Sequence, residues 1–190
     1  MVKARHDGIS RQACLAAFLV LGFAVGAQSQ DLPGVRALLS SQFRRSDRVS
    51  YVTVRAAGAA RTRIEQRLGR VLSRDRFTFF VARSGDRVDG YALFDEELGQ
   101  HEAISLATFF DRQGRVTNVE VMAYREAYGD GIRSARFRDQ FRGRTASSGF
   151  RPGRDIDSMS GSTISARSMC VAVQRAAVLL EELVLTSGGA

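Results

Sequence analysis

The sequence predicts an α+β protein: an antiparallel β-meander sheet with helices packed on one face and a long C-terminal helix. Runs rich in Phe, Val, Ile, Tyr and Thr begin at Phe77, Gly90, Ile104 and Val116 and are separated only by short turn sequences. Strands joined so closely must pair antiparallel, because a parallel crossover needs a dozen residues or more. Segments on either side carry apolar residues at three- and four-residue spacing, the period of a helix with one buried face. Helices, then strands, then a helix describe a two-layer domain.

Lys3, Arg5 and Arg11 precede an apolar run from Ala13 to Ala27 that breaks into Gln28-Ser29-Gln30-Asp31. A basic start, about 15 apolar residues and a small-residue end describe a secretory signal peptide over residues 1–27. The run is short of the ~20 residues a spanning helix needs, and an uncleaved anchor is the alternative. Cys14 opens the run instead of closing it, so there is no lipobox. The expected mature chain is soluble and exported.

Residues 28–75 read as a helical and extended segment and residues 76–190 as the main domain, with 28–190 forming one compact unit. Pro33 suits a first helical turn ahead of Leu38, Leu39 and Phe43. Val49–Val54 is a short β-branched strand, and Ile64, Leu68 and Leu72 give a helix over Ala59–Leu72. Four strands follow, Phe77–Ala82, Gly90–Phe94, Ile104–Phe110 and Val116–Tyr124. The links Ser84-Gly85-Asp86, Glu97-Leu98-Gly99 and Asp111-Arg112-Gln113-Gly114-Arg115 carry turn chemistry. Phe137 and Phe141 place a helix over Arg133–Phe141. A polar loop spans Gly143–Asp157, and Ile164, Met169, Val173, Ala176, Leu180 and Leu183 mark a helix from Thr163 to about Leu185.

Composition removes several function classes. An apolar share of 44% and a charged share of 25% are those of a globular protein. Lys+Arg 28 against Asp+Glu 20 leaves +8; without residues 1–27 the balance is 25 − 19 = +6. All the basic residues but Lys3 are arginines, scattered among acids. That distribution describes a solvated surface better than a nucleic-acid stripe. Two cysteines, Cys14 and Cys170, exclude a disulfide scaffold, and Cys170 falls in an apolar helical pattern as a small hydrophobe would. Two histidines, His6 and His101, exclude a multi-histidine metal site, and no metal is expected.

One segment carries chemistry: Asp157-Ser158-Met159-Ser160-Gly161-Ser162-Thr163-Ile164-Ser165, a hydroxyl-rich loop running into the long helix. The first turn of a helix presents backbone N–H groups without partners, and the helix dipole favours an anion there. Gly161 allows close approach, and Ser160, Ser162, Thr163 and Ser165 offer hydroxyls. From spacing alone an ordinary serine N-cap serves equally well. Neither GxxxxGK[ST] nor GxGxxG is present.

Asp157-x-x-Ser160-Gly161-Ser162-Thr163 resembles the Asp-x-x-(Ser/Thr)-Gly-Ala-Thr signature of the FMN-binding domain family. That family includes periplasmic flavin subunits of the sodium-pumping NADH:quinone oxidoreductase and of the Rnf complex. Tyr124-Arg125-Glu126-Ala127-Tyr128-Gly129 resembles its Tyr-Arg-Glu-x-x-Gly segment, and Gly99-Gln100-His101-Glu102-Ala103-Ile104 its Gly-x-His-x-x-Ile entry to a strand. The likeness spans about Asp89 to Leu183. It implies a periplasmic electron-transfer flavoprotein whose FMN a dedicated FMN transferase joins, through the phosphate, to Thr163. Magnesium serves only that attachment.

On this resemblance Gly161 permits close approach and Ser160 caps the helix or touches the phosphate. Asp157 serves the transferase through its magnesium, or holds the loop by Asx-type hydrogen bonds. Glu126 and His101 are candidates to line the flavin ring, against the readings of a solvated strand-end charge and a surface histidine. Ser162 stands where the family has alanine, so its hydroxyl is a competing acceptor beside Thr163. No catalytic residue and no nucleic acid are implied; the partners are the transferase and a membrane electron-transfer protein or complex. Two alternatives remain, an exported FMN-dependent reductase acting on a soluble substrate and a cofactor-free basic module binding anionic envelope polymers.

Overall fold

A computed structural model describes residues 32–186. The signal peptide expected over residues 1–27, with Cys14, lies outside them. Helix α1 (Leu32–Gln42) leads to β1 (Arg48–Arg55), α2 (Gly58–Leu68), β2 (Arg76–Ser84), β3 (Arg87–Leu98), β4 (Ala103–Asp111) and β5 (Val116–Ala123). A single turn, α3 (Ala135–Arg138), sits between 3-10 turns at Asp130–Arg133 and Asp139–Phe141, and α4 (Thr163–Leu180) passes into a π turn over Glu181–Leu185.

The strands form one five-stranded antiparallel sheet in the order β1-β2-β3-β4-β5. Each hairpin follows from its turn chemistry. Gly85 adopts φ 58 in the two-residue β2–β3 link. In the β4–β5 link Asp111 Oδ1 accepts from the backbone N–H of Gln113 and of Arg115, both at 2.9 Å, while Gly114 takes φ 78. The first strand, β1, belongs to the same sheet, pairing Tyr51 with Phe80 and Val52 with Phe79.

Alternation along the strands divides the apolar residues between two faces. Phe77, Phe79, Leu93, Ile104, Leu106 and Phe110 pack against α2 and α4 in the main core, with Ile64, Met169, Val173 and Ala176. A one-residue irregularity in β5, where Phe110 pairs with Val116 and Phe109 with Asn118, lets both Val116 and Val119 reach that core. The opposite face carries Ala92, Ala107 and Phe109 and is covered by Leu39, with Val35, Leu38 and Phe43 beside it. Helix α1 therefore lies on the second face, which corrects the expectation of helices on one face only. The sheet is apolar on both sides, so each needs a cover.

Two helices are shorter than their spacing suggests. Gly69, in the left-handed conformation (φ 65), ends α2 at Leu68, although Leu72 beyond it is still buried. The expected helix over Arg133–Phe141 breaks at Ser134, whose extended backbone (φ −63, ψ 139) separates the first 3-10 turn from α3 and whose side chain accepts from Phe137 N–H. Phe137 and Phe141 nevertheless meet edge to face, with centroids 5.7 Å apart. Among the described residues no helix is long and apolar enough to cross a membrane.

Helix α4 is fixed to the sheet by charge as well as by packing. Arg175 is buried and donates to Asp95 Oδ2 at 2.7 Å, to Glu96 O at 2.8 Å and to Glu97. Burial works against its charge, but Asp95 and Glu97 outweigh it and hold its pKa above the ordinary value. One helical turn earlier Cys170 is buried, and burial pushes its thiol up to about 12. An inert packed thiol results.

Candidate functional site

The loop between Gly143 and Asp157 is polar, yet it is tightly tied. Arg144 donates to Gln140 O at 2.8 Å, to Gly149 O at 2.6 Å and to Asp155 O. Asp155 Oδ2 accepts from Arg151 N–H at 2.9 Å. Gln140 Oε1 then accepts from Asp157 N–H at 2.7 Å, fixing where the loop turns toward α4. No local signal marks Gln140 for this role, because its partner is 17 residues away.

Asp157, Ser160 and Gly161 are exposed. Gly161 adopts φ 76, and a Cβ built on it would meet nothing within 4 Å. The glycine is thus required by the turn, and the space above it is open. Ser162 occupies the N-cap position with φ −131 and ψ 21, and its side chain makes no cap hydrogen bond. It is buried, its Oγ 3.0 Å from the position of a Cβ on Gly131. Thr163 is exposed. The two adjacent residues therefore stand in different environments, Ser162 buried with its hydroxyl beside Gly131 and Thr163 exposed.

The first bond of the helix runs from Ala166 N–H to Ser162 O at 2.8 Å. Among the described residues nothing accepts from the N–H groups of Thr163, Ile164 and Ser165. Three backbone donors, the positive end of an 18-residue helix and an exposed threonine thus share the first turn of α4. That arrangement fits a phosphate ester.

The Tyr124–Gly129 segment is docked beside this spot. Tyr124 hydroxyl bonds Ser165 Oγ at 2.8 Å and also donates to Tyr128 O. Gly129 (φ 93) lies so close that a Cβ there would stand 2.6 Å from both Ser165 Oγ and the Tyr124 hydroxyl. Glu126, in the same segment, turns toward the β3–β4 link: its Oε1 accepts from the N–H of His101 at 2.7 Å and of Glu102 at 3.0 Å. These two backbone donors, His101 first, hold its carboxyl below the usual range. His101 itself is exposed. Ser168 Oγ donates to Leu98 O at 2.6 Å, which seats the link one helical turn beyond Ser165. The site residues thus form two groups, Asp157 to Thr163 at the helix start and Glu126 with His101 at the neighbouring turn, joined through Tyr124 and Ser165.

A cleft of about 250 Å³ opens beside the loop, between Ser134, Arg136, Phe137 and Gln140 on one wall and the residues Asp157 to Ser160 on the other. Sequence reading missed it, because its walls come from segments about 20 residues apart with no shared motif.

A model of the FMN-binding domain family matches residues 99–178, from the β3–β4 link to the last turns of α4. No curated protein matches the chain. The matched stretch contains the tied loop, the exposed threonine, the free helix donors and the docked Tyr124–Gly129 segment, so the likeness to FMN-binding domains covers the whole candidate site.

Proposed function

We propose that this protein is an exported electron carrier holding one FMN, esterified through its phosphate to Thr163, and that it relays electrons to or from a membrane redox partner. One observation carries the reading: within the matched family segment, Thr163 offers an exposed hydroxyl where three N–H groups lack acceptors. Buried Ser162 is the poorer acceptor. The flavin supplies reversible electron transfer, and the protein supplies binding, orientation and electrostatics.

Attachment forms a bond between Thr163 Oγ1 and the flavin phosphorus. Condensation with a free phosphate is uphill in water, so the donor is a flavin phosphoanhydride. Its anhydride bond breaks, the distal phosphate leaves with its substituent, and the hydroxyl proton passes to a base of the transferase. No electron moves, and the chain gains FMN less one water. A helix dipole contributes only about 0.3–1 kcal/mol to holding an anion, so the covalent link is what retains the cofactor in an open compartment.

The test is co-expression with an FMN transferase in an exporting host, followed by intact-mass measurement. The expected gain is lost in Thr163→Ala and kept in Thr163→Ser. An unchanged wild-type mass, beside a control substrate that is modified, would overturn the proposal.

A further inference from the structure

Resting on that reading, we infer that the cleft between α3 and the Asp157–Ser160 loop receives the isoalloxazine ring of the flavin anchored at Thr163, and that Arg136 sets its redox potential. The cleft is lined by the loop that leads to the anchor, since Ser160 borders it and stands three residues before Thr163. Its volume, about 250 Å³, lies below the roughly 300–1,000 Å³ of sites that enclose a whole drug-sized ligand. It therefore suits a flat ring held from outside by a tether, with the ribityl phosphate left at the helix start. Half-buried Met159 supplies apolar surface for a ring face, and buried Phe137 backs the cleft from the core side.

The polar groups are as informative. Arg138 pairs with Glu120, Arg142 with Asp139, and Arg144 is taken up by the loop carbonyls. Arg136 has no ion pair or hydrogen bond among the described residues, and it lines the cleft. Asp157 also lines the cleft; its carboxylate has no ion pair or hydrogen bond among the described residues, and its backbone N–H is held by Gln140. The pyrimidine edge of an isoalloxazine presents an N–H between two carbonyls. A guanidinium and a carboxylate lining one cleft match that edge, the first able to donate to a carbonyl and the second to accept from the N–H. Reduction places negative charge on this edge, and a nearby guanidinium favours the charged form. Arg136 therefore makes the flavin easier to reduce, and Asp157 opposes it in part.

The test uses protein flavinylated in the exporting host, with intact mass measured on every sample. Arg136→Gln is expected to gain the same mass as wild type but to show a lower midpoint potential in a spectroelectrochemical titration. Arg136→Lys should recover most of the difference, and Arg112→Gln, on the β4–β5 turn, should leave the potential unchanged. Ser158→Trp fills the cleft from an exposed loop position between the matched motif residues; it should keep the mass gain and lose the visible-region circular dichroism of an immobilised ring. Fully loaded Arg136→Gln with the wild-type potential, or fully loaded Ser158→Trp with the wild-type dichroism, overturns the cleft assignment and leaves the Thr163 attachment standing. Absence of any mass gain in wild type overturns both.

Discussion

Tyr124 and Ser165 share a hydrogen bond of 2.8 Å across 41 residues of sequence, and through it the segment after β5 is locked to the first turn of α4. The same hydroxyl also reaches Tyr128 O, so one phenol fixes both the loop and the helix start. Tyr124→Phe should therefore cost about 1 kcal/mol of stability, the usual net value of a hydrogen bond. Ser165→Ala should add little in that background, because the two changes remove one shared interaction. Urea denaturation of the four-member cycle measures this. Full additivity of the two substitutions would show that the bond contributes nothing.

Two glycines of the site separate backbone strain from crowding. Gly161 and Gly129 both have positive φ, 76 and 93, but a Cβ on Gly161 meets open space while one on Gly129 meets Ser165 Oγ and the Tyr124 hydroxyl at 2.6 Å. Gly161→Ala should carry only the left-handed penalty of about 1–2 kcal/mol. Gly129→Ala should cost more and should also abolish the coupling between Tyr124 and Ser165. Equal losses in thermal or urea melts would mean that the segment shifts freely.

The sheet was legible because its signals are local. Alternation and turn residues such as Asp111 and Gly114 act within a few positions, and all four strands from Phe77 onward are present. Strand β3, however, runs from Arg87 to Leu98 and takes Glu97 and Leu98, expected in a turn, into its pairing with β4. The side on which α1 packs was not legible, since it depends on the path of the chain between Gln42 and Arg48 and not on the helix's own pattern. The break at Ser134 was hidden by the Phe137–Phe141 spacing, which the folded chain satisfies with a single α turn and a 3-10 turn. At the site, the hydroxyl-rich loop was visible as a motif. Which of the two residues is exposed was not, because Ser162 is buried against Gly131, 31 residues earlier, where the missing side chain leaves room for its hydroxyl. The cleft with Arg136 needed the tertiary fold altogether.

The tie between Glu126 and the β3–β4 link should be sensitive to acid. The His101 and Glu102 N–H groups hold the Glu126 carboxyl below its ordinary value of 4.5. A carboxylate depressed on folding contributes stability above its unfolded pKa, and that stability is lost as pH falls through the folded value. Glu126→Gln keeps an acceptor oxygen but cannot ionise. The variant should be less stable than wild type at neutral pH, and the gap should close below about pH 4.5. Urea midpoints across the acid range test this; a gap that stays constant would remove the carboxylate from the account.

The ion cluster under α4 should be among the most sensitive points of the fold. Arg175 is buried between Asp95 and Glu97, and Arg74 reaches Asp95 from the other side at 2.7 Å. Removing one member of a buried pair leaves the other charge without compensation, typically at about 3–5 kcal/mol. Arg175→Met keeps much of the side-chain volume and should fall in that range, because Asp95, only 8% exposed, keeps only the half-exposed Arg74. Asp95→Asn in the same background should recover part of the loss, since it removes the stranded charge. The flavin loop is three turns away along the helix, so partial loading of Thr163 should persist in whatever fraction remains folded, and mass measured on the native fraction separates the two effects. A double variant no more stable than Arg175→Met alone would mean that Arg74 by itself neutralises Asp95, and that α4 is held by packing and not by charge.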